Sequence, residues 1–259
     1  MRESSFLISS QKIGSIWDNP RKMKIKKVSV VIPSYNEKDN IKELIRQVYH
    51  HTGKDLFEVI IVDDNSPDGT WKLIKKLQKK YKNLHLIRRM RKGGLASAIW
   101  RGIKESKGNI VLWLDCDLSH PPSIIPKLLG NLPKYDVVIA SRYVKGGKDE
   151  RQFGRVLSSK LVNILAYAFL GLKVKDLTSG FYAVKKEVFS QIKLMTTGHA
   201  EYCIRFPYES IKKGFKIKEI GYVFSDREKG YSKTSSNLSN FLYNGYLCGK
   251  EIIKLSVGK

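Results

Sequence analysis

Hydrophobic and polar positions alternate in two kinds of block from residue 26 onward. Short apolar runs predict strands at residues 28–33, 57–62, 84–88, 110–114 and 136–140. Between them, apolar residues recur at helical spacing and predict helices at residues 39–51, 70–82, 94–107 and 122–131. Strict alternation of strand and helix is typical of a mostly parallel sheet with helices on both faces. The expected fold class is therefore α/β.

The two ends of the chain follow different patterns. Residues 1–24 mix Ser, Lys, Gly and Pro without periodicity, which predicts a basic, loosely ordered lead-in. The chain has 259 residues, of which 42% are hydrophobic, so it can bury a substantial core. We expect one large domain over residues 25–235. Apolar positions at helical spacing predict a C-terminal amphipathic helix over residues 236–259.

The most apolar stretch covers residues 156–172, where Lys160 and Asn163 are the strongly polar positions. It is interpreted either as a core helix or as a helix lying partly in a bilayer interface, since basic residues flank it on both sides. Its length is short for a membrane span. We therefore expect a peripheral protein without a spanning segment or a signal peptide.

The charge is strongly basic. Lys and Arg number 48 against 24 Asp and Glu, which gives a net charge of +24. Such an excess indicates an anionic partner: nucleic acid, an anionic membrane surface or a phosphorylated substrate. Residues 70–92 hold ten basic residues and no acidic one, which fits either a solvated helix face or a surface for anionic lipid.

The three cysteines, Cys116, Cys203 and Cys248, are far apart and lack CxxC spacing. Neither a disulfide framework nor a zinc site is indicated, and a reducing cytoplasm is the expected compartment.

Two carboxylates follow the fourth predicted strand. Asp115 and Asp117 stand two residues apart after the apolar run VLWL, so extended geometry points both to one side. Such a pair suits Mg²⁺ or Mn²⁺, which fills its remaining positions with phosphate oxygens and water. The DxD pattern is common by chance, but its position at a strand end favours the metal interpretation. His120, just beyond, is either a ligand or a structural neighbour.

The second predicted strand also ends in carboxylates. In open parallel sheets, ligands bind beyond the carboxyl ends of the strands. We therefore assign Asp63 and Asp64 to a ligand, and Asp68 to the cap of the following helix. Gly93-Gly94 lacks either phosphate-loop pattern and is interpreted as a turn before a helix.

Several motifs in a fixed order then identify a family resemblance: VVIPSYNE, VIIVDDNSPDGT, GLASAIWRGIKESKGNIVLWLDCDLSHPP, SRYVKGG, DLTSGFYAVKKEVF and DREKGYSK. Together they resemble the inverting glycosyltransferases of the GT-A fold, and most closely the dolichol-phosphate mannosyltransferases. The resemblance spans roughly residues 26–233 and discriminates sugars and lipids poorly.

The resemblance implies a role for individual residues. Those placed around the donor nucleotide are Pro33, Tyr35, Glu37 and Asp64. Those placed at the metal are Asp115 and Asp117, with Ser119 standing where many relatives have Gln; Asp115 also contacts substrate. Those placed near phosphate are Arg142, Arg155 for the lipid phosphate, and Arg227, Ser232 and Lys233 in a late loop. Asp117, Arg142 and Arg155 are the implied catalytic residues. Arg205 stands where an acidic residue is expected.

The implied activity is transfer of a hexose, mannose from GDP-mannose, to dolichyl or polyprenyl phosphate with inversion. The implied cofactor is Mg²⁺ or Mn²⁺. The implied partners are a nucleotide sugar, the polyprenyl phosphate, an anionic membrane surface on its cytoplasmic side and, as an open alternative, a membrane subunit.

Other interpretations stay open. One keeps the chemistry with glucose or GlcNAc from a UDP-sugar, or a polysaccharide or protein acceptor that needs a carboxylate base. Another is a basic nucleic-acid-binding protein. We expect no nucleic acid, because recognition motifs are lacking and acidic pairs at strand ends repel a polyanion.

Overall fold

The computed structural model describes residues 26–91, 93–198, 200–225 and 238–258. Its strands are β1 (Val28–Ser34), β2 (Leu56–Asp63), β3 (Leu84–Arg88), β4 (Ile110–Trp113), β5 (Val137–Ser141), β6 (Lys148–Asp149), β7 (Tyr182–Lys185), β8 (Ile217–Gly221) and β9 (Val223–Phe224). Its helices are α1 (Ile41–Thr52), α2 (Thr70–Leu77), α3 (Leu95–Glu105), α4 (Ile125–Asn131), α5 (Phe153–Leu170), α6 (Tyr202–Lys212) and α7 (Leu238–Val257). The strands and helices predicted for residues 28–140 are all present.

Two of the predicted helices are shorter than expected. The helix predicted for residues 70–82 ends at Leu77, because the next turn tightens to three-residue hydrogen bonds and the Gln78 side chain donates to the Leu84 carbonyl at 3.0 Å. The helix predicted for residues 122–131 begins as a 3-10 turn, Pro122–Ile124. Pro126 has no N–H to donate to that turn, so the regular helix starts beside it.

The main sheet has the strand order β3-β2-β1-β4-β7-β5-β8. Neighbouring strands are parallel except at β7, which runs antiparallel to both β4 and β5. This confirms the predicted mostly parallel sheet. The parallel arrangement brings the carboxyl ends of β1, β2, β4 and β5 to one edge, where ligands of such folds bind.

Helices cover both faces of the sheet, as the alternating strand–helix pattern predicts. In β1, Val30 and Ile32 belong to a buried apolar cluster that includes residues of α1, α2 and α4, while Val31 between them belongs to a second cluster, with residues of α3, α6 and α7, on the other face. Trp113 of β4 and Tyr182 of β7 stack 4.7 Å apart at the centre of the second face. The core therefore consists of two apolar layers separated by the sheet.

Helix α7 is part of this core. Cys248, Ile252 and Leu255 are buried in the same cluster as the sheet residues. On α6, Arg205 binds Glu251 of α7 at 2.5 Å, which accounts for a basic residue at that position. The Tyr208 hydroxyl of α6 also donates to the Leu255 carbonyl at 3.2 Å. The C-terminal helix predicted over residues 236–259 is thus joined closely to the domain that precedes it.

Candidate active site

The loops that follow β1 and β2 are linked to each other. The Asp64 N–H donates to the Ser34 carbonyl at 3.0 Å, and the Asn36 N–H donates to Ser66 Oγ at 2.9 Å. Ser66 Oγ in turn donates to Asp63 Oδ2 at 2.6 Å. Asp63 is fully buried and its observed contacts are with Ser66, so its contact with a ligand stays a prediction. It holds the turn that presents its neighbour, Asp64.

Asp64 connects three loops at this edge of the sheet. Its carboxylate accepts a hydrogen bond from Arg89, at the end of β3, and one from each N–H of Gly93 and Gly94 at 3.1 Å. Gly94 has a φ of +84°, a conformation that favours glycine, and α3 begins directly after it. Gly93-Gly94 therefore forms the loop directly before α3, and both of its N–H groups are hydrogen-bonded to Asp64.

The other residues predicted to contact the nucleotide lie at the end of β1 and in the loop that follows it. Pro33 is buried within β1 and Tyr35 is half-buried just beyond it. Glu37 is buried; its N–H donates to Thr70 Oγ1 at 3.0 Å and its carboxylate accepts from Asn40 at 2.9 Å. Glu37 thereby joins the starts of α1 and α2, and its contact with a nucleotide stays a prediction.

Asp68 stabilises the start of α2, as the sequence suggests. One carboxylate oxygen accepts from the N–H and the hydroxyl of Thr70, at 2.9 and 2.6 Å. The other accepts from the Lys38 N–H at 3.1 Å. Because these bonds occupy both oxygens, Asp68 has a structural role: it connects the loop after β1 to the start of α2.

His120 holds the backbone of the first metal-motif carboxylate. The Asp115 N–H donates to His120 Nδ1 at 3.1 Å, which requires a neutral ring with an unprotonated Nδ1. Burial among Phe181, Tyr222 and Phe224 lowers the pKa of His120 to about 4, in keeping with that form. His120 is thus a structural neighbour of the Asp115 backbone, one of the two alternatives left by the sequence.

Asp117 is oriented by its own loop. Its Oδ1 accepts from Ser119 Oγ at 2.5 Å and from the Ser119 N–H at 3.2 Å. Leu118 between them has a φ of +65°, a left-handed conformation that is uncommon for a leucine. Ser119 is buried, and its observed contact is with Asp117, so its role as a metal ligand stays a prediction.

A cavity of about 560 Å³ opens at this edge of the sheet. The predicted site residues that line it are Asp115, Asp117, Ser119, Arg142 and Arg155. Among the described residues, Pro33, Tyr35, Glu37 and Asp64 are not part of its lining. Arg227, Ser232 and Lys233 lie outside the residues that the structure describes.

Arg142 belongs to a buried ion-pair network. Its guanidinium donates to both carboxylate oxygens of Asp176, at 2.9 and 2.7 Å, and to Thr178 Oγ1 at 2.6 Å. Burial disfavours its charge, but Asp176 outweighs that effect and raises the pKa of Arg142 above its ordinary value. A direct contact of Arg142 with phosphate stays a prediction, because the network already uses most of its donors.

Two members of this network, Asp176 and Asp149, were not predicted from the sequence. Asp176 is completely buried, and Asp149 accepts hydrogen bonds from Arg151 at 2.8 and 2.7 Å. A usable signal existed for Asp176, because it opens the DLTSGF motif. Asp149 carries no such signal.

The donor atoms at the cavity fit a divalent cation that shares its coordination with a substrate. Within the described part of the chain, no group of three or more His, Cys, Asp or Glu side chains is placed to hold a metal ion alone. Asp115 and Asp117 supply two carboxylates to the cavity wall. Mg²⁺ and Mn²⁺ commonly bind one or two carboxylates and complete their shell with phosphate oxygens and water.

A known sequence family matches the part of the chain that builds this edge of the sheet. The profile of glycosyl transferase family 2 matches residues 29–193, which include the loops after β1, β2 and β4, Arg142 and Asp176. The chain belongs to glycosyl transferase family 2. As a family 2 glycosyltransferase it is an enzyme, and its cavity is the candidate site of sugar transfer.

Two curated relatives of this glycosyltransferase cover most of the chain. A dolichol-phosphate mannosyltransferase of Pyrococcus furiosus is 38% identical over 213 residues, which are 80% of this chain and 59% of the relative. The chain thus spans less than two thirds of that relative's length. A polyprenol monophosphomannose synthase of Mycolicibacterium smegmatis is 32% identical over 223 residues, 83% of both proteins.

Solved structures show the same fold. Glucosyl-3-phosphoglycerate synthase from Mycobacterium tuberculosis, in complex with Mn²⁺, UDP and glucosyl-3-phosphoglycerate, superposes with a TM-score of 0.68 at 20% identity. The match covers 89% of this chain and 80% of that one. The same enzyme with Mg²⁺ and UDP gives 0.67 at 19% identity. The predicted GT-A fold is confirmed.

Proposed function

We propose that the enzyme transfers mannose from GDP-mannose to a polyprenyl phosphate, with inversion at the anomeric carbon and with bound Mg²⁺ or Mn²⁺. The observation that carries this proposal is the composition of the cavity. Asp115 and Asp117 line it together with Arg142, Arg151 and Arg155, and apolar residues of α5 extend its wall. The names of the two curated relatives support a mannosyl group and a polyprenyl acceptor.

At the carboxylate end of the cavity, Asp115 and Asp117 would hold the cation against the diphosphate of the donor. When bound, the metal neutralises the charge that develops on the leaving diphosphate. Ser119 keeps Asp117 oriented, and His120 fixes the Asp115 backbone. Because these supports are already formed, the carboxylates need little rearrangement when donor and metal bind.

The acceptor end of the cavity favours a phosphate over a hydroxyl. A hydroxyl acceptor needs a general base, whereas a phosphate oxygen is already anionic at neutral pH. Among the described residues, Asp115 and Asp117 are the Asp and Glu side chains in the cavity lining, and the proposal assigns both to the metal. The acceptor phosphate would therefore attack the anomeric carbon directly, and the bond from that carbon to the donor diphosphate would break.

The outer surface of α5 fits an acceptor that resides in a bilayer. Its exposed large apolar side chains are Phe153, Leu157, Leu161, Ile164, Leu165, Tyr167 and Phe169. Among the described helices, α5 is the one long and apolar enough to cross a membrane by length and composition. Its inner side holds Asn163, Ala166 and Leu170 buried against the fold. We propose that α5 lies on the cytoplasmic surface of the membrane rather than crossing it.

A direct test is a panel of GDP- and UDP-sugars, each incubated with the purified enzyme, Mn²⁺ and a polyprenyl phosphate in detergent. The measured quantity is sugar recovered in the lipid fraction. The proposal predicts lipid-linked mannose from GDP-mannose. If only a UDP-sugar is transferred, GDP-mannose is not the donor. If sugar is transferred only to soluble or protein acceptors, polyprenyl phosphate is not the acceptor.

A further inference from the structure

A third arginine reaches the cavity from the loop before α5. Arg151 lines the cavity, and its side chain is 18% exposed. Asp149, whose side chain is 2% exposed, accepts hydrogen bonds from Arg151 Nε and Nη2 at 2.8 and 2.7 Å. The guanidinium also lies 5.0 Å from the ring centre of Phe224. The carboxylate and the aromatic ring thus hold Arg151 in one position at the cavity wall.

Arg142 and Arg151 differ in how many N–H donors remain available to bind a ligand. The Arg142 side chain is 3% exposed, and its Nε, Nη1 and Nη2 all contact Asp176, Asp149 or Thr178. Within the described part of the chain, Nη1 of Arg151 makes no hydrogen bond. Since a guanidinium has five N–H donors, Arg151 keeps donors for an anionic group while remaining fixed by Asp149.

The two arginines are connected through one carboxylate. Asp149 Oδ2 lies 2.7 Å from Arg151 Nη2 and 3.4 Å from Arg142 Nη1. The Tyr143 hydroxyl also donates to this oxygen, at 3.1 Å. Arg142 in turn forms a hydrogen-bonded ion pair with Asp176. Asp149 therefore links Arg151 to the buried Arg142–Asp176 ion pair, which supports its position.

We infer that Arg151 binds the phosphate of the acceptor, and that Arg142 and Asp149 act behind it as positioning residues. This inference rests on the proposed function and assigns one more residue to the same site. The phosphate belongs to the acceptor rather than to the donor because Arg151 directly precedes α5. Leu161 and Leu165 of that helix line the same cavity and provide apolar contact for a prenyl chain. A phosphate monoester with an apolar tail fits this arrangement, with its phosphate at Arg151 and its tail against Leu161 and Leu165.

The test compares steady-state kinetics of the full-length wild type with Arg151→Gln, Arg151→Lys and a control, Lys148→Gln. Lys148 is a basic residue of the same loop, 68% exposed and paired with Glu150 on the surface. Loss of a charge-assisted hydrogen bond predicts a rise of about tenfold or more in the KM for polyprenyl phosphate in Arg151→Gln. The KM for the nucleotide sugar should stay near the wild-type value, while the thermal midpoint should fall, because the Asp149 side chain, 2% exposed, loses its nearest cationic partner.

Arg151→Lys should recover only part of the acceptor affinity, because lysine keeps the charge but cannot bind Asp149 in the same two-point manner. Lys148→Gln should match the wild type. An unchanged acceptor KM in Arg151→Gln would overturn the inference, and so would an equal rise in both KM values. If the wild type itself transfers nothing to polyprenyl phosphate, the proposed function fails instead.

Discussion

At the scale of single residues, Arg142 at the cavity wall depends on a buried carboxylate that is not itself part of the cavity lining. Asp176 is fully buried and holds the Arg142 side chain and backbone through hydrogen bonds of 2.7 to 2.9 Å. Burial alone would raise the pKa of Asp176, but the charge and hydrogen bonds of Arg142 outweigh it and lower the pKa below its usual value. The carboxylate is therefore ionised throughout the physiological range.

Replacing Asp176 with Asn should destabilise the protein strongly, because Arg142 is then buried without a compensating charge. Breaking a buried pair on one side typically costs about 3–5 kcal/mol of unfolding free energy. A depressed folded-state pKa contributes stability above the unfolded value of about 3.9, and that stability is lost as the pH falls through the folded value. The wild type should thus lose stability in acid more steeply than Asp176→Asn does.

Urea unfolding at pH 7 and at several lower pH values measures both effects. Equal unfolding free energies at pH 7, or identical slopes with pH, would show that the Arg142–Asp176 pair is not the support described above.

At the scale of elements, the last helix is held to the catalytic domain by an ion pair between α6 and α7. The Arg205 side chain is 23% exposed and the Glu251 side chain 7% exposed. A partly buried pair with hydrogen bonds contributes more than a surface pair, which water and salt screen. The chain offers a surface comparison in Arg46 and Glu43 of α1, whose side chains are 60% and 43% exposed.

Glu251→Gln should lower the free energy of unfolding by about 1.5–3 kcal/mol, because a charged hydrogen bond to Arg205 is lost within a packed interface. Glu43→Gln, the matched surface variant, should leave stability nearly unchanged. Chemical denaturation of the two variants checks the prediction. Comparable losses in both would mean that the α6–α7 pair behaves like a solvated one.

The elements that the sequence predicts correctly are those with a complete local signal. The strands β1, β2 and β4 are continuous apolar runs with turn residues after them, so their ends also locate Asp64, Asp115 and Asp117. β7 has only four residues and runs antiparallel between two strands far from it in sequence. Its place depends on tertiary pairing, which periodicity does not reveal.

The same limit applies to the candidate site. Arg142 is identified by its motif, but its partner Asp176 is 34 residues away. Nothing in the local pattern pairs the two charges. Asp63 and Asp64 are neighbours with equal local signals, yet one is fully buried against Ser66 and the other joins Arg89 and Gly93-Gly94. Their different roles follow from side-chain direction in the folded loop.

At the scale of the whole molecule, apolar surface and positive charge together suit a membrane-bound substrate. Large apolar side chains stand exposed along α5, and Tyr243, Tyr246, Ile253 and Val257 are exposed on α7, which packs against it. The chain as a whole carries a net charge of +24. Apolar insertion and attraction to anionic lipid headgroups act together at a bilayer surface.

Introducing charge on the outer side of α5 should therefore weaken binding to anionic vesicles. The double variant Leu157→Glu with Ile164→Glu alters two side chains that are 56% and 62% exposed and do not line the cavity. We expect a loss of about tenfold or more in vesicle affinity, since burial of two large apolar side chains is forfeited. Co-sedimentation with phosphatidylserine-containing vesicles measures it.

Phe57→Glu serves as the control, because Phe57 is 38% exposed at the amino end of β2, outside α5 and outside the basic segment 70–92. It should bind vesicles like the wild type. Equal losses in the control and in the α5 variant would indicate a general charge effect and not a surface at α5.

Sugar transfer at the carboxylate end of the cavity should require Asp117, and the variant Asp117→Ala tests this requirement. Asp117 is half-buried in a loop, so its removal should leave the circular dichroism spectrum and the thermal midpoint close to those of the wild type. The measurement is Mn²⁺-dependent transfer of labelled mannose from GDP-mannose to polyprenyl phosphate by the purified protein. Transfer should fall to background in Asp117→Ala, and transfer retained at the wild-type rate would contradict a role for Asp117 at the site of sugar transfer.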